Sequence, residues 1–154
     1  YWFVEKQHAM IGRNPSFAAR MKSNWLETHN LLLTAKALER IADHATRISN
    51  SVTLIGPSRI ESEILSDLET MGSDAISLLD SSMEALFKRD SETANRCIDR
   101  ATSMAENTGN YLGRIMKRRG KANIWLAFTF ESLERIGGYS ADIAEIAINL
   151  AEGS

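Results

Sequence analysis

Two carboxylates spaced by four residues, Glu39 and Asp43, are the side chains of this sequence best placed to do chemistry. On a helix, positions i and i+4 lie one turn apart on one face, and two acids there repel each other by about a few tenths of a kcal/mol. A neighbouring cation or a bound metal ion would offset this repulsion. Lys36, Arg40 and Arg47 are within helical reach, so the spacing leaves open both a solvated salt-bridge surface and a metal site.

Apolar residues around the acid pair predict a helix that turns both carboxylates outward. They recur at alternating intervals of three and four, which is the a/d stripe of a heptad pattern. With Leu38 at position a, Glu39 falls at b and Asp43 at f, away from the packed seam. His44 falls at g, beside the seam, and we expect it to pack rather than to bind a ligand. The stripe, on a helix expected from about residue 28 to residue 55, consists of Leu31, Thr34, Leu38, Ile41, Ala45, Ile48, Val52 and Ile55.

The same pattern returns 95 positions later, so that position 31 matches position 126. Residues Leu133–Ile136 repeat Leu38–Ile41, but Gly138 and Tyr139 then stand where the first copy has an aspartate and a histidine. A register shared over such a length indicates a long internal repeat, of which this helix is the most recognisable part. The apolar stripe of the second copy is Leu126, Thr129, Leu133, Ile136, Ser140, Ile143, Ala147 and Leu150.

Asn14 and Pro15 divide the N-terminal part of the chain, because asparagine caps a helix and proline suits its first position. We expect the end of a helix before them and a connection with a short helix after them. The sequence opens on Tyr1–Val4, which reads as the interior of a helix, so we expect the chain to be part of a longer protein. Apolar side chains expected to pack the connection onto the bundle are Phe17, Met21, Trp25 and Leu26.

Three long helices are predicted in the rest of the chain. Residues Ser58–Glu61 form a capping box that opens a helix ending near Lys88, and Asp90 caps the next one. The last helix is expected from about residue 122 to residue 151. Its two adjacent glycines, Gly137 and Gly138, permit close approach by another helix.

Together these elements predict an all-α fold, an antiparallel bundle of long helices built from a three-helix repeat. We expect residues 1–56 to be an incomplete first repeat, with the end of one helix, a connection and the motif helix. Residues 57–154 are then a complete second repeat. Because the first repeat lacks its opening helix, some apolar surface is left for a dimer partner or a further part of the chain to cover.

Composition restricts the classes of function. The net charge of −2 gives no push toward nucleic acid or an anionic membrane, and no direct contact with either is expected. No apolar segment reaches the roughly 18–20 residues of a membrane-spanning helix, and we expect a cytoplasmic location. Cys97 is the only cysteine, which excludes an internal disulfide, and its place on an apolar stripe predicts a buried thiol.

Catalytic motifs are scarce, and we predict a protein that is not an enzyme. The sequence contains no Gly-x-x-x-x-Gly-Lys-Ser/Thr phosphate loop, no Gly-x-Gly-x-x-Gly and no Gly-x-Ser-x-Gly. A ferritin-like di-iron centre needs ligands that project into the bundle, whereas Glu39 and Asp43 project outward. Exposed acids instead suit cations held by oxygen ligands and water.

The stretch Leu38–Ala45, Leu-Glu-Arg-Ile-Ala-Asp-His-Ala, resembles the signature of the PhoU family of phosphate-uptake regulators. Repeats of that family carry a Glu/Asp-x-x-x-Asp motif on the third helix of a three-helix unit, and the similarity covers nearly the whole chain. The resemblance implies iron, zinc or magnesium at the motif, with Glu39 and Asp43 as ligands in the first unit. In the second unit only Glu134 matches, and Asp142, two turns further along, is the candidate substitute.

The resemblance implies that this protein is a regulator of phosphate uptake. Such a regulator restrains phosphate import and its signalling by binding the transporter's ATPase or a sensor kinase. Related archaeal proteins join such units to an N-terminal DNA-binding domain, which would agree with the abrupt start of the chain. Two alternatives stay open: a metal-binding bundle with a storage or enzymatic role, and a plain helical interaction module of a transcriptional regulator.

Overall fold

The computed structural model describes residues 1–56, 60–117, 120 and 122–152. These residues form six helices and contain no strand, so the predicted all-α fold is confirmed. None of the described helices combines the length and the apolar character needed to cross a membrane. The helices are α1 (Trp2–Arg13), α2 (Pro15–Met21), α3 (Trp25–Ile55), α4 (Ser62–Lys88), α5 (Ser91–Met116) and α6 (Asn123–Glu152).

Helix α6 lies at the centre of the bundle and packs against α3, α4 and α5. Its predicted stripe is buried along its length, from Leu126 to Ala147, with Leu150 partly buried at the end. Neighbours on several sides also bury residues off the stripe, such as Phe130, Ser132 and Ala144. The heptad assignment for the last helix is therefore confirmed. The helix also buries residues outside the a and d rows, because it has neighbours on more than one side.

Helices α4 and α5 pack on each other as well as on α6. The carboxylate of Asp90 accepts hydrogen bonds from the backbone N–H groups of Glu92 and Thr93, at 3.0 and 3.1 Å, and so caps α5 as predicted. The Cys97 thiol is buried, also as predicted. Ser58, the first residue of the predicted capping box, lies outside the described residues, and α4 begins at Ser62.

The heptad assignment for α3 is only half right. Ile41 and Ile55 of the d row are buried, but the a-row side chains Leu31, Leu38 and Val52 are 52 %, 36 % and 58 % exposed. The reason is the number of neighbours, because α3 packs mainly against α6 and α1, whereas α6 packs against three long helices. The residues at the matching positions of α6 are buried. The a row of α3 is therefore an apolar face that is exposed, whereas the same row of α6 is covered by neighbouring helices.

The connection between α1 and α3 is anchored differently from the prediction. Asn14 caps α2 by accepting from the backbone N–H of Phe17 at 3.1 Å, which confirms the predicted break. Met21, Trp25 and Leu26 were expected to pack onto the bundle, but each is about half exposed. Met21 ends α2, which contacts α1, while Trp25 and Leu26 are the first residues of α3, where the Trp25 ring lies against His8 and His29 rather than in the core.

Gly137 permits the close approach that its sequence position predicted. A Cβ atom added there would lie 2.8 Å from the Met104 sulfur of α5 and 3.6 Å from Leu78 Cδ1 of α4. The neighbouring Gly138 is exposed, and a Cβ there would meet nothing within 4 Å. Only the first glycine is therefore required by packing.

Alanine substitutions at the two glycines should have opposite effects. Gly138→Ala should raise the free energy of unfolding by about 0.8–1 kcal/mol, because alanine has the higher helix propensity. Gly137→Ala should lower it by up to about 2 kcal/mol, since the new methyl group displaces Met104 in a packed core. Urea unfolding of both variants measures the difference. Equal stabilisation by the two substitutions would contradict the contact.

Candidate functional site

The motif carboxylates Glu39 and Asp43 are both exposed on α3, as the heptad assignment predicted. Their shared face is the b and f side of the helix, which is not part of the buried seam. The buried residues Ile41 and Ala37 hold the other side of the same turns against the bundle. The helix therefore presents the two acids to solvent on a rigid, packed support.

The two arginines near this acid pair are engaged elsewhere. The Arg40 guanidinium donates a hydrogen bond to the Tyr139 hydroxyl at 3.2 Å, and the Arg47 guanidinium pairs with the Glu131 carboxylate at 3.2 Å. Within the described residues, no Lys, Arg or His nitrogen lies within 4.0 Å of either motif carboxylate. The pair therefore forms no direct salt bridge there, and the positive charge of Arg40 acts on Glu39 only from a longer distance.

His44 and Tyr139 meet across the α3–α6 contact, with ring centroids 5.8 Å apart. These two residues are equivalents in the 95-residue register, so the helices meet at matching positions. The Nδ1 atom of His44 is buried and has no hydrogen-bond partner among the described residues. Burial lowers the pKa of the His44 imidazole, and the positive charges of Arg47 and Arg135 lower it further.

Two neighbouring clefts adjoin the acid pair. One of about 350 Å³ has Glu39 and Asp43 on its wall, beside Lys36, Arg40, His44 and Tyr139. Another, of about 390 Å³, shares Lys36, Arg40 and Tyr139 and continues along α6. Its remaining lining residues are Leu33, Ala37, Asp142, Glu145, Ile146 and Asn149. The shared residues therefore separate the acid pair from the rest of the second cleft.

The second copy of the motif does not assemble a matching pair. Glu134 is half-buried, and Asp142 follows it by two turns, or about 12 Å at 1.5 Å per residue, which is too far to share one ion. Asp142 instead lines the cleft with Arg40, where partial burial raises the pKa of its carboxyl and the guanidinium opposes the rise. In the described part of the chain, no group of three or more His, Cys, Asp or Glu side chains could hold a metal ion.

Sequence reasoning missed the part that Tyr139 plays at this site. The residue was noted only as a departure from the motif, where the first copy has a histidine. Its hydroxyl accepts from Arg40, its ring lies 5.6 Å from the guanidinium carbon, and it packs on His44. The available signal was its equivalence to His44, since equivalent helices that pack on each other bring equivalent positions together.

Comparison with protein families gives a match to the PhoU domain over residues 68–147, which is just over half of the chain. The chain belongs to the PhoU family. The matched residues run from α4 through α5 into α6, the three helices that enclose the core. Comparisons with curated proteins and with solved structures gave no significant match. PhoU membership suggests a regulatory role in phosphate uptake.

The position of His44 predicts an acid-sensitive stability. The folded-state pKa is lowered, so below the ordinary value of 6.5 the unfolded chain binds a proton that the folded chain resists. The free energy of unfolding should therefore fall as the pH drops from 6.5 toward the lowered value, and level off below it. Around the ring, α3 contributes Arg47 and Asp43, and α6 contributes Arg135 and Glu131.

Urea unfolding at about pH 7.5 and about pH 5.5 tests this dependence. His44→Gln should lose less stability between the two pH values than the unsubstituted chain, because glutamine does not titrate. An unchanged difference would show that the imidazole is as easily protonated in the folded state as in the unfolded one.

Proposed function

We propose that this PhoU protein is a non-enzymatic regulator of phosphate uptake and phosphate signalling that works through protein–protein contacts. The observation that carries the proposal is the PhoU domain match over residues 68–147. The family is regulatory rather than catalytic, and the conspicuous polar surface here is an exposed acid pair rather than a pocket of convergent side chains. The proposed partners are the phosphate transporter's ATPase and a sensor kinase.

The acid pair on α3 is the proposed contact surface. Glu39 and Asp43 are exposed, and the nearest arginines of the helix are drawn to Tyr139 and Glu131 of α6. A basic surface on the partner would relieve the repulsion between the two acids, and complementary charge also speeds and orients association. The bundle beneath them would keep the pair at a fixed spacing during docking.

A divalent or iron-type cation, Fe, Zn or Mg, is the second proposed ligand of this face. Two carboxylates one turn apart offer oxygen donors, which suit a hard ion that keeps several waters. The residues fit such a partly hydrated ion at Glu39 and Asp43. They fit it poorly in the second repeat, where Glu134 has Gly138 one turn later and Asp142 is two turns away. The cation would neutralise the charge of the acid pair, so that this face would no longer attract a basic partner surface.

A double substitution that removes both charges tests the contact surface. Glu39→Gln with Asp43→Asn should change the free energy of unfolding by less than about 0.5 kcal/mol, because exposed charges contribute little. The same variant should bind the transporter ATPase or the sensor kinase several-fold more weakly, with a reduced salt dependence. Pull-down and titration at two salt concentrations measure both effects.

Asp80→Asn with Glu84→Gln is the matched control, because these acids are also exposed and four residues apart, on α4. It makes the same change in net charge and should leave binding unaltered. Equal binding by both double variants would instead favour a plain helical interaction module. Recovery of no transporter or kinase partner with the unsubstituted chain would remove the main support for the regulatory proposal.

A homodimer is the proposed way to cover the exposed a row of α3. Residues 1–56 would then act as an incomplete first repeat that borrows apolar cover from a second copy. Leu38→Glu should shift the protein toward the monomer in sedimentation or light-scattering measurements, because it places a charge in the contact. Ile76→Glu on α4, a site that is 66 % exposed, is the control and should leave the assembly unchanged. A monomeric unsubstituted chain would contradict the dimer.

A further inference from the structure

Two histidines and a tryptophan meet where α1 packs against α3, about 21 Å along the helix axis from Asp43 at 1.5 Å per residue. The ring centroids of His8 and His29 are 5.5 Å apart, and His8 lies 5.3 Å from Trp25. The Trp25 ring stacks on His29 at 5.0 Å with an interplanar angle of 9°. Both imidazoles are partly exposed, so the cluster can be reached from solvent.

The hydroxyl of Thr28 occupies one of the two ring nitrogens of His8. Nδ1 lies 3.0 Å from the hydroxyl oxygen, and that oxygen lies 3.1 Å from the Asn24 carbonyl oxygen and 3.0 Å from that of Trp25. Nε2 is therefore the ring nitrogen left for a ligand. When Nε2 binds a metal ion, the proton is on Nδ1, which then donates to the hydroxyl while the hydroxyl donates to the backbone.

His29 supplies a second imidazole with free nitrogens. Neither of its ring nitrogens has a hydrogen-bond partner among the residues that the structure describes. Stacking on Trp25 fixes the plane of the ring but occupies only its face, which leaves the edge nitrogens open. The two imidazoles come from different helices, so a ligand bound by both would connect α1 to α3.

We propose that His8 and His29 bind one borderline transition-metal ion, such as Zn²⁺ or Ni²⁺, through His8 Nε2 and a ring nitrogen of His29. Imidazole suits these metals, and bonds of about 2.0–2.1 Å at a tetrahedral angle put two ring centroids about 5 Å apart. The hydrogen bond from His8 Nδ1 to Thr28 is the kind of contact that orients metal-binding histidines. No third His, Cys, Asp or Glu joins them within the described residues, so water completes the coordination. The ion would clamp α1 onto α3.

Isothermal titration with Zn²⁺ tests the site. The unsubstituted chain should bind one ion here with micromolar affinity, and His8→Ala or His29→Ala should weaken this binding by about tenfold or more. Thr28→Val keeps both imidazoles but removes the acceptor for His8 Nδ1, and should also weaken binding by about tenfold. His44→Ala, which removes the imidazole at the α3–α6 contact instead, is the control and should leave this affinity unchanged. Circular dichroism verifies that each variant keeps its helices.

A second readout follows the clamp itself. Ni²⁺ should quench the fluorescence of Trp25, and Trp25→Phe should remove this part of the quenching. Zn²⁺ should slow hydrogen exchange of the α1 amides. Zinc affinity that stays the same in His8→Ala and His29→Ala, or no binding at millimolar Zn²⁺, would overturn the proposal. Unchanged affinity in the two histidine variants would leave the proposed protein–protein contacts unaffected, because those depend on the family match and on the charge of the acid pair of α3.

Discussion

Burial of α6 by three long helices is the constraint on which the rest of the structure depends. Small residues on its faces make this possible, since a methyl group at Gly137 would collide with Met104, and Ser140 and Ala144 are completely buried. A helix so enclosed cannot rotate or shift without opening the core. Tyr139 is therefore held at the edge of the α3 contact, where it meets both Arg40 and His44.

That fixed contact determines the electrostatics of the neighbouring surface. Arg40 is drawn to Tyr139 and Arg47 to Glu131, so the two arginines that could pair with Glu39 and Asp43 point to α6 instead. The acids stay exposed with no cation at salt-bridge distance in the described chain. The proposed contact with a basic partner or a cation rests on this exposed pair.

Helix α3 then carries two surfaces of different chemistry, about 21 Å apart at 1.5 Å per residue. Carboxylates at Glu39 and Asp43 offer oxygen donors, whereas the imidazoles of His8 and His29 offer nitrogen. The same helix also exposes the apolar row of Leu31, Leu38 and Val52. The acid pair and the apolar row are exposed because α3 has fewer neighbours than its equivalent α6, whereas the imidazoles meet because α1 packs on α3. The surfaces proposed for ligands and partners therefore all involve this outer helix.

Local patterns in the sequence were enough to determine the helices, the caps at Asn14 and Asp90, and the outward direction of Glu39 and Asp43. These follow from spacing along a single helix, which depends on no other part of the chain. Only the tertiary structure decided that the a row of α3 is exposed while the matching row of α6 is buried, because the two stripes look alike and differ in the number of neighbours. The tertiary structure also decided that Arg40 donates to Tyr139 and that His8 lies beside His29. Each of these contacts joins two helices, and patterns within one helix do not determine how two helices are placed.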